Sequence, residues 1–155
     1  MALEAKVLVV SDSVHAGTRQ DRSGATLADY LAGHGFQVIE RRTVPDGLAP
    51  VAEALHDLAE GFNGLVATTG GTGFSPTDLT PEATRTVVDR EAPGIAEAMR
   101  ATSPLGRLSR GVAGTVGSCL VVNVPGSTQG AIESIEAILD VVPHALDLLG
   151  GGHPH

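Results

Sequence analysis

The residues whose types and spacing promise chemistry are Gly70, Gly71, Thr72 and Gly73, with Asp78 five positions beyond the last glycine. They sit in the stretch LVATTGGTGFSPTDLTPEAT, residues 65–84. A short apolar run, Leu65 to Ala67, leads through Thr68 and Thr69 into the glycines, and Thr80-Pro81 opens a helix with Glu82 in its first turn. A strand, a glycine-rich loop and a helix N-terminus in that order leave backbone N–H groups free to take an anion such as phosphate. A turn whose glycines merely relieve strain is the plain alternative, and Asp78 could be a local cap. A second aspartate, Asp46, stands in the turn Val44-Pro45-Asp46-Gly47 and carries the same ambiguity.

The common nucleotide loops do not fit. Lys6 is the only lysine, so the cation that a Walker A loop requires is missing, and no GxGxxG follows the first strand. A formal charge of −8 argues against nucleic acid or an anionic membrane surface as partner. Phosphate would have to be held by backbone dipoles, a few arginines and a metal ion. Arg110, in Ser109-Arg110-Gly111, is one such arginine, with a surface salt bridge as its alternative role. Ser75 lacks the closing glycine of a nucleophile elbow. Cys119 lies within an apolar run and reads as core. One cysteine rules out an internal disulfide and a cysteine-based zinc site. His144 reads as structural, and His153 and His155 lie too near the end to form a metal site unaided.

The elements that must position these groups follow from periodicity. Lys6 to Val10 is a continuous β-branched run, the signature of a strand buried on both faces. Ser11 to Ser23 is irregular. Helical spacing follows through Leu27, Ala28 and Leu31, and strand character resumes from Phe36 to Thr43. Pro50 begins a helix with Val51, Leu55, Leu58 and Ala59 on one face. Thr80 caps the helix after the glycine loop, with Pro81 at its first position. Pro93-Gly94 breaks it, and Ile95 to Arg100 begins another; residues 101–109 are irregular. Two strands, Val112 to Val116 and Cys119 to Val124, meet at Gly117-Ser118. Ile132, Ile135, Ile138 and Leu139 mark a helix, and Pro143 starts the last one.

This order predicts a single α/β domain over residues 1–149, a three-layer sandwich with a mostly parallel sheet between helices, and a flexible tail at 150–155. Ligands of such sheets bind beyond the carboxyl ends of the strands. The loops at Ser11, Val44, Thr68 and Pro125 should therefore converge on one edge. No charged-then-apolar leader and no run long enough to span a membrane appears, so a soluble cytoplasmic protein is expected.

Residues 68–73, TTGGTG, with Asp78 and Thr80-Pro81-Glu82-Ala83-Thr84 behind them, resemble the Mog/MoaB family of molybdenum-cofactor biosynthesis proteins, which includes the gephyrin G domain. The resemblance runs from Lys6 to Leu149. It takes in Ser11-Asp12, Asp21-Arg22-Ser23-Gly24, Val44-Pro45-Asp46, Pro93-Gly94, Leu108-Ser109-Arg110-Gly111, Asn123-Val124-Pro125-Gly126-Ser127 and Pro143-His144-Ala145. The link from Arg100 to Leu108 is short for the family.

The resemblance implies a molybdopterin-binding, MogA-like fold, commonly a homotrimer. It implies an adenylyltransferase that converts molybdopterin and MgATP to adenylylated molybdopterin and pyrophosphate, the product then passing to a molybdate-insertion protein. Asp46 and Asp78 become the acidic pair for catalysis and Mg²⁺. Ser11, Asp12, Ser23, Gly24, Thr69, Gly70, Gly71, Thr72, Gly73, Ser109, Arg110, Pro125, Gly126 and Ser127 become the contacts to pterin and phosphates. A MoaB-type binding protein without turnover, or a CinA-like domain acting on a nucleotide-like compound, are the alternatives.

Overall fold

A computed structural model describes residues 2–152. Its centre is β1 (Leu3–Val10), flanked by β2 (Phe36–Val44) on one side and β3 (Leu65–Thr69) on the other, both parallel to it. Beyond β3 lies β6 (Cys119–Val124), also parallel, then β5 (Ala113–Val116) and the two-residue β4 (Arg90–Glu91), each antiparallel to its neighbour. The sheet order is β2-β1-β3-β6-β5-β4. β3 and β6 are buried along their whole length, as a strand covered on both faces must be.

Strand alternation divides the core in two. Ala5, Val7 and Val9 of β1, with Leu65, Ala67, Leu120, Val122 and Val124, face one layer of helices: α2 (Ser23–Ala32), α5 (Pro93–Arg100), α6 (Thr128–Glu136) and α7 (Val142–Leu149). Leu8 and Val10, with Val66, Cys119 and Val121, face α3 (Leu48–Ala59) and α4 (Thr80–Val87). The expected three-layer α/β domain is present. Cys119 is fully buried, and burial pushes its thiol up to about 12, so it is a core residue with no thiolate chemistry.

Several details differ from the sequence reading. α3 starts at Leu48, ahead of Pro50, and α5 starts at Pro93 itself. The loop after β1 contains a four-residue helix, α1 (Asp12–His15), and residues 104–108 form a 3₁₀ turn. α6 ends at Glu136, so Ile138 and Leu139 enter the core from the turns that follow it. Gly150, Gly151 and Gly152 donate back to Leu146, Leu148 and Asp147, while His153 and His155 lie outside the described residues. Among the described residues no helix is long and apolar enough to cross a membrane.

Candidate functional site

Connections leave β1 and β3 in opposite directions, β1 through α2 to β2 and β3 through α4 toward the antiparallel edge. The crevice above their carboxyl ends is therefore the topological switch point of the sheet. The glycine loop sits in it. Gly70 (φ 103°) and Gly71 (φ 69°) both take backbone conformations that side chains disfavour. At Gly70 a Cβ would fall on the carbonyl oxygen of Val10 at the end of β1. Gly70 N–H donates to Val124 O at 3.2 Å, which ties the loop to β6 as well.

Thr80 does something other than cap a helix. It is the first helical residue of α4, its hydroxyl donates to Gly70 O at 3.0 Å, and its N–H donates to Gly71 O at 3.1 Å. The helix start thus pins the loop carbonyls, while the N–H groups of Gly71, Thr72 and Gly73 make no hydrogen bond among the described residues. Those amides are available to an anion.

Arg110 clamps the loop from the other side. Its Nε donates to Gly73 O at 2.8 Å, one terminal nitrogen to Asp78 O at 2.6 Å, and the other to Glu82 Oε2 at 2.7 Å. The ion pair holds the Glu82 carboxyl below the usual glutamate range. Three of the five guanidinium N–H donors go to the protein's own carbonyls and carboxylate, so Arg110 positions the loop.

A buried polar chain completes the support. Asn123, 2% exposed as the penultimate residue of β6, donates through Nδ2 to Thr68 and Thr84 hydroxyls, each at 3.0 Å, and accepts Val112 N–H at 2.9 Å. Thr84 in turn donates to Thr80 O at 2.7 Å. Every polar atom named has a partner, as a buried network must to avoid a desolvation penalty. An asparagine inside the apolar run CLVVNV was the signal for it.

The loop opens onto a cavity of about 600 Å³. Of the expected contacts, Gly71, Thr72, Gly73, Asp78, Ser109, Pro125, Gly126 and Ser127 line it. Met99, Leu105, Leu108, Asn123 and Glu133 line it too, none of which the sequence singled out as a site residue. Gly70, Thr69 and Arg110 stand behind this wall. Thr69 donates to Pro125 O at 2.8 Å, with the Ser23 hydroxyl 3.2 Å away. Gly24 packs α2 onto β1, since a Cβ there would strike Val9, and its N–H goes to Asp21 at 2.8 Å.

Ser11, Asp12 and Asp46 form a neighbouring group at the ends of β1 and β2. Ser11 caps α1 by accepting Val14 N–H, and the two aspartates exchange backbone bonds. Asp12 N–H donates to Asp46 Oδ2 at 3.1 Å and Asp46 N–H to Asp12 Oδ1 at 3.0 Å. Burial, and then the charges of Asp12 and Asp78, raise the Asp46 carboxyl above its ordinary value, against the bond from Asp12 N–H. Asp78 thus acts on this group electrostatically, and its own Oδ2 accepts Ser75 N–H at 3.0 Å. Among the described residues no three histidine, cysteine or carboxylate groups gather as a metal cage.

The raised carboxyl makes a prediction. A folded-state value above the unfolded one means the native state binds the proton more readily, so Asp46 costs stability at neutral pH and this cost fades as pH falls into the carboxylate range. Asp46→Asn, which can still accept Asp12 N–H, should therefore melt higher than the parent at neutral pH. The rise should be less than the roughly 2–4 °C that 1 kcal/mol represents in a domain of this size. Thermal melts from neutral to acid pH check this, and the gap should close on acidification.

The family profile described as "Probable molybdopterin binding domain" matches residues 6–144. The chain belongs to this family. Within the molybdopterin-binding domain family, it is 34% identical to a molybdopterin adenylyltransferase of Helicobacter pylori, over 95% of this chain and 88% of that one. It is 35% identical to a molybdenum cofactor biosynthesis bifunctional protein of Chlorobaculum tepidum, of whose length it spans 49%. Its fold superposes on the molybdopterin biosynthesis enzyme MoaB of Thermus thermophilus with a TM-score of 0.89 and 45% identity, covering 96% of this chain and 97% of that one.

Proposed function

We propose that this protein is a molybdopterin adenylyltransferase, transferring AMP from ATP to the terminal phosphate of molybdopterin. A terminal phosphate oxygen attacks the α-phosphorus of ATP, a new P–O bond forms, and the bond to the β-phosphate breaks with pyrophosphate carrying off the electron pair. The nucleophile is already anionic, so no general base is needed; the task is to bring two anions together in line. The observation that carries the reading is a loop whose Gly71, Thr72 and Gly73 amides are unspent, in residues that line a cavity of about 600 Å³. Those amides take phosphate oxygens and cost no reorganisation, because Thr80, Arg110 and Gly70 already hold the loop.

Mg²⁺ fits the residues present. Burial, and then the charges of Asp12 and Asp78, raise the Asp46 carboxyl, and three of the Arg110 donors go to Gly73, Asp78 and Glu82. Asp46 and Asp78 would hold the ion, which prefers one or two carboxylates plus phosphate oxygens and water, and it would neutralise charge on the phosphates. We place the reaction in the cytoplasm, where ATP is available, in a homotrimer. The product passes to a molybdate-insertion protein, a hand-over that the two-activity relative supports.

The test is pyrophosphate release by purified protein with MgATP. Release should depend on added molybdopterin and yield the adenylylated pterin. Tight pterin binding with no turnover would replace the transferase by a binding protein. Light scattering of the same sample reads the assembly.

A further inference from the structure

The phosphate site proposed above uses the glycine-loop part of the cavity lining. The same cavity is also lined by Met99 of α5, by Leu105 and Leu108 of the 3₁₀ turn, and by a carboxylate outside the glycine loop, Glu133 of α6. Leu105 and Leu108 are 73% and 55% exposed, apolar surface without a covering group. Glu133 is half-buried, and Gln129 Nε2 donates to its Oε1 at 2.7 Å, which fixes the carboxylate one turn above the start of the helix. No ion pair involves Glu133 among the described residues, so Oε2 and a lone pair of Oε1 are unspent.

A carboxylate in a site for anions opposes binding unless the ligand brings donors to it. The ligand edge that suits a fixed carboxylate between apolar walls is planar and offers two adjacent N–H groups. A 2-amino-4-oxopyrimidine ring does so through N3–H and its 2-amino group. Spacing agrees: six residues of helix rise, roughly 9 Å, separate Glu133 from Ser127, whose neighbour Gly126 lies against Gly70 of the glycine loop, and this is the reach of a bicyclic ring on a short phosphate-bearing arm.

We infer that Glu133, held by Gln129 in the cavity that Met99, Leu105 and Leu108 also line, is the specificity residue that reads the aminopyrimidinone edge of the pterin. This rests on the transferase reading for the identity of the substrate, but its test does not need turnover. Guanine carries the same edge, so the probes separate the two sources.

The experiment titrates wild type, Glu133→Gln and Glu133→Asp by fluorescence with 6-hydroxymethylpterin monophosphate, its lumazine counterpart, which has a carbonyl in place of the 2-amino group, and GMP. Wild type should bind the pterin at least about tenfold more tightly than the lumazine, the lower end for a hydrogen bond to a charged group. Glu133→Gln should lose that preference, because its amide donates to the lumazine carbonyl. Glu133→Asp should lose it too, because the carboxylate is withdrawn by one methylene.

A preference that survives in both variants, or wild type that binds neither ring, overturns the inference. Tighter binding of GMP than of the pterin assigns the edge to guanine and overturns it as well. Pterin selectivity through Glu133 without pyrophosphate release would sink the transferase reading alone. Pyrophosphate release by Glu133→Gln with an unchanged KM for molybdopterin would sink only this one.

Discussion

Gly70→Ala is expected to cost about 2–3 kcal/mol of stability and about a hundredfold in pyrophosphate release. The residue has φ 103°, and a Cβ would fall on the Val10 carbonyl oxygen, which is backbone and cannot swing aside. Nor can Gly70 move away. Its N–H holds Val124 O, its carbonyl accepts the Thr80 hydroxyl, and Gly126 packs against its Cα. Strain of this kind costs on the order of 1–3 kcal/mol, and a clash with fixed backbone adds to it. At roughly 2–4 °C per kcal/mol, melting should fall by about 4–12 °C while the domain stays folded at room temperature.

Turnover should suffer more than stability suggests, since a shift of about 1 Å in a positioning group can cost ~10²-fold. Gly17→Ala is the control. That glycine also has a positive φ, 80°, but nothing lies within 4 Å of its absent Cβ. It should lose some stability and no activity. Wild-type turnover in Gly70→Ala would remove the rigid loop from the mechanism.

The parts of this fold that were legible in sequence are those where one face or one run says everything. KVLVV and CLVVNV are long enough in apolar residues to announce buried strands, and three glycines after Thr69 announce a loop at a strand end. β4 left no trace because it is two exposed residues, Arg90 and Glu91, paired only through their backbone to Thr115 and Gly114. The convergence of the Ser11, Val44, Thr68 and Pro125 loops followed from parallel topology. Which of their residues face the cavity did not, because that depends on side-chain direction.

Arg110 shows this best. A cation near a phosphate site suggested a ligand contact, while three carbonyl and carboxylate acceptors brought together by tertiary packing take three of its five donors. Gly24 is similar: its missing side chain serves the approach of α2 to β1. The wall made by residues 104–108 was invisible because a 3₁₀ turn has no apolar period to detect.

Asp78→Asn should lower turnover by about 10²–10³-fold while changing stability by no more than about 0.5 kcal/mol. The two roles of this side chain can be separated. Its Oδ2 accepts Ser75 N–H at 3.0 Å, and asparagine can keep that bond with its own oxygen. Its backbone N–H and carbonyl, bonded to Ser75 and Arg110, are untouched by the substitution. What disappears is the negative charge facing the cavity. If Asp78 serves to hold a cation against the phosphates, kcat falls, the Mg²⁺ concentration for half-maximal rate rises, and pterin affinity changes little.

Asp78→Ala removes both roles. It should add a stability loss of about 1 kcal/mol from the unpartnered Ser75 N–H, by analogy with a lost helix cap. The Asp78→Asn substitution should also move the Asp46 carboxyl back toward its ordinary value, because Asp78 is one of the charges raising it. The pH-dependent stability gap between Asp46→Asn and its parent should then narrow in an Asp78→Asn background. Full activity in Asp78→Asn together with a loss in Asp78→Ala would make the residue a loop cap alone and leave Asp46 to hold the metal.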